Sequence, residues 1–285
     1  MLAKVGFLIN RIACSLLSPQ LRRKISDFPL VLKFNELLLG RQQADVTTPE
    51  GLILKLNPLF HGHLSTAESV LNYEPEVRQA LVGSLKPGMV AYDIGANIGI
   101  FTLLMSHLVR QEGKVYAIEP EINNFKHLLD SIEVNNIKNI LPLQIAVGEK
   151  DGTLQFDRRG GSFSGRVVDS DIHYTPTRNI MPIFVRSIDS LVNSNLADPP
   201  DLIKIDVEGF ESKVILGMKE VISKHSPIVI CEMHAHLGDP SEVVYEILAS
   251  ADYSIYDLQG FLKGELNNLA SLKDVEKIIA LKNPN

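Results

Sequence analysis

Two groups of residues in this chain have the types and the spacing to do chemistry together. The first is Asp93-Ile-Gly95-Ala-Asn97-Ile-Gly99, a turn between an apolar run and a helical pattern. Glycines at 95 and 99 let the backbone turn tightly and come close to a ligand. Twenty-six residues past Asp93 the next apolar run ends in Glu119-Pro120, where a carboxylate can accept both hydroxyls of a ribose. A loop that cradles a pyrophosphate reads Gly-x-Gly-x-x-Gly, and here Asp93 stands at the first glycine position. An acid there repels a pyrophosphate and favours a cation, which points to an adenosyl sulfonium rather than a nicotinamide dinucleotide.

The second group follows a later pair of apolar runs. One ends in Asp206-Val-Glu208-Gly209, the other in Glu232-Met-His234-Ala-His236. Asp206 and Glu208 share one side of an extended chain. Neighbouring strands lie ~4.8 Å apart, so Asp206 and Glu232 can converge if their strands are adjacent. Two chemistries fit. Asp206, Glu208 or His234 can act as general base on a hydroxyl. Alternatively, Asp206 and Glu232, with or without His234, can hold a divalent cation that lowers the hydroxyl's pKa, the oxygens suiting Mg²⁺ and a histidine favouring Mn²⁺ or Zn²⁺. The plainer alternatives are helix N-terminal charge for the acids and a solvated loop for His234 and His236. Lys204 carries no assigned role.

These residues need strands that end on one edge of a sheet. Continuous apolar runs predict strands over 89–94, 114–118, 140–147, 200–205 and 227–231, with helices over 98–109, 122–135, 210–224 and 241–251. Strands alternating with helices in this order imply a parallel sheet with right-handed crossovers. Runs at 253–258 and 277–281 add an antiparallel edge. Upstream, 51–56 reads as a strand and 74–85 as a helix with Pro75 in its first turn. The alternation breaks between about 151 and 195. There Leu154–Phe156 and Ile183–Ile188 can pair around Arg158-Arg-Gly-Gly-Ser-Phe-Ser-Gly165, and Arg158, Arg159 and Arg166 can meet an anionic acceptor or simply face water.

With these pieces in order, the sequence resembles the class I S-adenosylmethionine-dependent methyltransferases, and more narrowly the FkbM family. The resemblance rests on Tyr73-Glu-Pro-Glu76, Asp93-Ile-Gly-Ala-Asn-Ile-Gly99, Ile118-Glu-Pro120, Asp201-Leu-Ile-Lys-Ile-Asp-Val-Glu-Gly-Phe-Glu211 and Val229-Ile-Cys-Glu232. It implies an α/β fold: a Rossmann-like class I methyltransferase sheet, mostly parallel, with seven strands and an antiparallel last strand. It also implies that Asp93, Gly95, Asn97 and Gly99 surround the methionine end of S-adenosylmethionine, that Glu119 binds the ribose, and that Ala146 borders the adenine. The implied reaction is O-methylation of a hydroxyl on a sugar, glycolipid or small secondary metabolite. The organisation expected is an amino-terminal helical and strand extension over 1–70, able to cap the site, and a catalytic domain over 71–285 with its insertion at about 151–195.

Composition bounds these readings. The 285 residues are 45% hydrophobic and 22% charged, which suits a folded core. The net charge of −6 argues against a general nucleic-acid binder. Two cysteines, Cys14 and Cys231, give no sign of an oxidising compartment, so the cytoplasm is expected. Residues 1–41 carry seven basic and two acidic side chains, leaving −11 for the remaining 244. That basic, amphipathic segment reads either as a peripheral membrane contact or as a helix packed on the domain. The competing functions are a non-catalytic cofactor-binding interaction module, an NAD-dependent oxidoreductase, and a methyltransferase acting on RNA or protein. Oligomeric state is not legible.

Overall fold

A computed structural model of the protein describes residues 43–58, 60–157, 166–168, 180–258, 266, 268 and 275–283. The amphipathic segment 1–41 and the glycine- and serine-rich stretch 158–165 lie outside them, as do the side chains of Arg158, Arg159 and Arg166.

The chain opens with a hairpin, β1 (Ala44–Thr47) and β2 (Ile53–Leu56), then α1 (Ala67–Leu71) and α2 (Pro75–Ser84). The alternating core follows as β3 (Val90–Ile94), α3 (Ile100–Val109), β4 (Lys114–Ile118), α4 (Ile122–Val134) and β5 (Ile140–Leu143). Next come β6 (Ala146–Val147), β7 (Gly152–Asp157), β8 (Arg166–Val168), β9 (Ile180–Arg186) and α5 (Ile188–Asn193). The remainder is β10 (Leu202–Ile205), α6 (Glu211–Leu216), α7 (Lys219–His225), β11 (Ile228–Glu232), α8 (Ser241–Ser250), β12 (Tyr253–Asp257) and β13 (Lys277–Lys282).

Seven strands form the central sheet in the order β12-β13-β11-β10-β3-β4-β5. All pairings from β11 to β5 are parallel, and β13 runs antiparallel to both of its neighbours. This is the Rossmann-like α/β sheet with an antiparallel last strand. The edge differs from the expected pair in one respect: β13 inserts between β11 and β12, so it lies inside the sheet and β12 forms the edge.

The strands read as continuous apolar runs because both of their faces are covered. Ala91, Val115, Ala117 and Leu202 pack with Leu103, Leu104 and Leu128 on one side. Tyr92, Ile94, Tyr116, Ile118, Ile203 and Ile205 pack with Val214, Ile215 and Leu248 on the other. Burying each large aliphatic side chain contributes about 1.5–3 kcal/mol.

Two predicted elements are divided. The expected strand over 140–147 is β5 in the central sheet and β6 in a second, four-stranded sheet ordered β6-β9-β7-β8. In that sheet Leu154 pairs with Ile183, as the sequence suggested. The helix over 210–224 is α6 and α7, separated at Gly217, where a Cβ would sit 2.0 Å from the carbonyl oxygen of Gly148. Only a glycine fits against that backbone. The break thereby seats the second sheet on the first.

Candidate active site

Beyond the carboxyl ends of β3, β4 and β10 opens a cleft. Gly95, Asn97, Glu119, Ala146, Asp206 and Glu208 all line it. Gly95 has φ +79°, and a Cβ there would lie 1.7 Å from the carbonyl oxygen of Asp206. The turn after β3 therefore nests against the turn after β10. One wall is apolar, with Phe156 and Val167 contributed by the second sheet and Phe210 by the residue before α6.

Glu119 is buried at 5% exposure. Its Oε2 accepts from the Asn97 amide at 2.8 Å and its Oε1 from the Glu121 amide at 2.8 Å. Burial pushes its pKa up to about 7, the two amide bonds hold it down, and the charges of Glu121 and Asp93 push up again. Both oxygens keep a further lone pair for a hydroxyl donor.

Two predicted residues do not line this cleft. Asp93 is fully buried; it accepts from Thr102 Oγ1 at 2.6 Å and lies 3.3 Å from Lys204 Nζ. It ties β3 to α3 and β10. Gly99, at φ +95°, lets the start of α3 pass Leu128.

A second pocket shares Gly95, Asn97 and Asp206 with the first and is also lined by His61, Tyr73, Phe101 and Lys204. Lys204 is 3% exposed and lies between Asp93 at 3.3 Å and Asp206 at 3.5 Å. Burial alone would lower its pKa, but the charges of Asp93 and Asp206 outweigh this and hold it charged. His61 is fully buried, and its Nδ1 accepts from the Asn57 amide at 3.0 Å. Burial, with His127 and His63 nearby, lowers its pKa to about 3, so the ring is neutral.

The ends of β10 and β11 bring the second group of residues together. Parallel pairing sets Ile205 beside Cys231, which puts the residues that follow each strand side by side. One ligand atom from each of Asp206, Glu232 and His234 lies within 4.8 Å of the other two. His234 Nδ1 is 2.9 Å from Glu211 Oε1, and its Nε2 is 3.9 Å from both Glu208 and Glu232. Burial lowers the His234 pKa, but the Glu211 hydrogen bond and the charges of Glu211, Asp206 and Glu208 raise it to about 9. Glu232 is pushed up to about 7 by burial, Asp206 and Glu74, against the opposing pull of Lys277 and His234. His236 is exposed, and its ring lies 5.7 Å from the His234 ring.

Sequence reasoning passed over two residues here. Glu211 is fully buried, and its Oε1 also accepts from the amides of Val207 at 3.2 Å and Gly209 at 3.1 Å. Its visible signals were its place at the end of the Asp201–Glu211 motif and in the first turn of a helix, where an acid is common for purely structural reasons. Lys277, from β13, lies 2.9 Å from Glu76, 3.4 Å from Glu74 and 3.9 Å from Glu232. It fastens the Tyr73–Glu76 segment to the end of β11.

Comparison with known proteins identifies the family of the chain. Residues 93–255 match the methyltransferase FkbM domain. The chain is 28% identical over 184 residues to the hexuronic acid methyltransferase AglP of Haloferax volcanii, covering 65% of this chain and 71% of that one. It is 27% identical over 187 residues to the 31-O-demethyl-FK506 methyltransferase FkbM of Streptomyces tacrolimicus, covering 56% and 71%. A crystal structure of methyltransferase FkbM from Methylobacillus flagellatus KT superposes with a TM-score of 0.45 at 19% identity, covering 72% of this chain and half of that one. The domain match takes in the Gly95 loop, Glu119, and the ends of both β10 and β11; the chain belongs to the FkbM methyltransferase family.

Proposed function

We propose that the protein transfers a methyl group from S-adenosylmethionine to a hydroxyl oxygen of a sugar, a glycolipid or a small secondary metabolite. The observation that carries this reading is the meeting of two features at Asp206: a cleft with a buried ribose-type carboxylate, and a cluster of proton acceptors. The cleft suits the cofactor in the backbone approach at Gly95 and in the acceptor capacity that Glu119 keeps. When bound, the sulfonium supplies a methyl carbon whose bond to sulfur breaks as the new bond to oxygen forms.

The chain's own residues bind, orient and take the proton. Glu119 accepts the ribose hydroxyls. Phe156, Val167 and Phe210 give the adenine an apolar wall beside Ala146. Asp206 or Glu208 receives the acceptor's proton, leaving the hydroxyl oxygen free to bond to carbon, whereas His234, the third candidate, is held as the charged imidazolium by Glu211 and the neighbouring acids. Correct alignment of oxygen and methyl carbon accounts for much of the rate, and the nested turns at Gly95 and Asp206 fix that geometry. The names of the two relatives support an acceptor of this class, the first naming a hexuronic acid and the second a demethylated oxygen of FK506.

The test is to incubate purified protein with methyl-labelled cofactor and a fractionated cell extract. Label in a glycan, glycolipid or metabolite fraction supports the reading. Label in protein or RNA overturns it.

A further inference from the structure

We infer that Asp206, Glu232 and His234 form a binding site for one divalent cation of the Mn²⁺ type. The three side chains come from the turn after β10 and from the end of β11 and the loop beyond it, so a cation there would join two neighbouring strand ends. Their ligand atoms lie within 4.8 Å of one another, so small inward rotations bring all three onto one ion. Two carboxylates and one imidazole make a mixed donor set. Carboxylates suit Mg²⁺ and Mn²⁺, whereas imidazole suits later first-row ions, and Mn²⁺ accepts both.

The site does not rest on an acidic cluster alone. The His234 side chain is 9% exposed, and its Nδ1 donates to Glu211 Oε1 at 2.9 Å. That bond leaves Nε2, once it gives up its proton to an incoming cation, as the ligand atom facing the carboxylates. Among the described residues Nε2 makes no hydrogen bond: Glu208 and Glu232 both stand 3.9 Å away, too far for one and open enough for an ion between them. A histidine ligand held through its other nitrogen by a carboxylate is a recurrent arrangement around metals. Glu211 is in turn fixed by the amides of Val207 and Gly209, so the ring's direction is set from the buried side.

The acids here outnumber the cations set among them, Lys204, Lys277 and His234. Lys204 is shared by Asp93 and Asp206, and Lys277 by Glu74, Glu76 and Glu232. Each lysine already faces more than one acid, so a dication placed among Asp206, Glu208 and Glu232 lowers their mutual repulsion. The inference deepens the methyltransferase reading and rests on it only for the cation's use. A cation held by Asp206, Glu232 and His234 would weaken the O–H bond of an acceptor hydroxyl, and Glu208, which is not a ligand, would take the proton.

The experiment is Mn²⁺ titration of the metal-stripped full-length protein, followed by loss of the free Mn²⁺ paramagnetic resonance signal. S-adenosylhomocysteine binding by calorimetry is measured on the same samples as the check on folding. One Mn²⁺ per chain is expected. His234→Ala removes no negative charge, so diffuse attraction to acids would survive it, whereas coordination weakens at least tenfold. Glu211→Gln weakens Mn²⁺ roughly 10–100-fold through ring orientation. Should His234→Ala lose S-adenosylhomocysteine binding, Glu232→Gln is the second variant and is expected to weaken Mn²⁺ likewise. Wild-type protein that binds S-adenosylhomocysteine yet leaves the Mn²⁺ signal unchanged overturns the site, as does equal Mn²⁺ affinity in wild type and His234→Ala. Mn²⁺ bound by protein that fails to bind S-adenosylhomocysteine keeps the metal site and overturns the methyltransferase reading instead.

Discussion

Glu211 Oε1 accepts from His234 Nδ1 at 2.9 Å and from the amides of Val207 and Gly209. One fully buried carboxylate therefore shapes the turn after β10 and aims the imidazole after β11. Glu211→Gln keeps the side chain's size but weakens its hold on the ring. Methyl transfer should fall roughly 10–100-fold in kcat, while affinity for S-adenosylhomocysteine stays within a factor of three or so. Steady-state kinetics beside calorimetry checks this. Equal losses in kcat and cofactor affinity would mean that Glu211 only supports the fold.

Glu119 gives the cofactor step its pH dependence. Burial raises its pKa to about 7, whereas ribose hydroxyls donate to the ionised form. Below that pH, binding must first release a proton. Affinity for S-adenosylhomocysteine should therefore be flat above about pH 7.5 and weaken as pH falls, approaching tenfold per unit. Calorimetry between pH 5.5 and 8.5 measures this. A slope that persists in Glu119→Gln would assign it to another group.

At Gly95 a methyl group meets the carbonyl of Asp206 at 1.7 Å, and the residue's φ of +79° is costly for any other side chain. Gly95→Ala should force the two turns apart, lower Tm by several degrees and cost more than tenfold in cofactor affinity. Unchanged affinity would show that the nested turns do not shape the cofactor cleft.

Lys204 is 4% exposed at its side chain and lies between Asp93 and Asp206. Lys204→Met leaves the fully buried Asp93 without its cation, and should cost about 3–5 kcal/mol of stability. Adding Asp93→Asn removes the stranded charge and should recover part of that loss. Denaturant unfolding of the single and double variants reads the difference. Equal stability of the two would sink this account of Lys204.

Much of this arrangement was legible in the chain itself. Alternate residues of β3, such as Ala91 and Tyr92, enter opposite cores, and that is why the strand reads as an unbroken apolar run. Gly95 and Glu119 were readable because turn chemistry and strand ends leave local signals. The division of 140–147 was not, since β6 leaves the central sheet to pair with β9, about forty residues later. Nor was the direction of Asp93, which depends on a lysine 111 positions away. The Glu211–His234 bond spans 23 residues, and its partners become neighbours only through the pairing of β10 with β11.

The most direct measurement is the fate of a labelled methyl group. Full-length protein is incubated with methyl-labelled S-adenosylmethionine and a fractionated extract, and the labelled product is treated with mild alkali. The account predicts an alkali-stable methyl ether in a glycan, glycolipid or metabolite, lost in Asp206→Asn although S-adenosylhomocysteine still binds. An alkali-labile ester, label in protein or RNA, or tight binding of NAD with none of S-adenosylhomocysteine would contradict it.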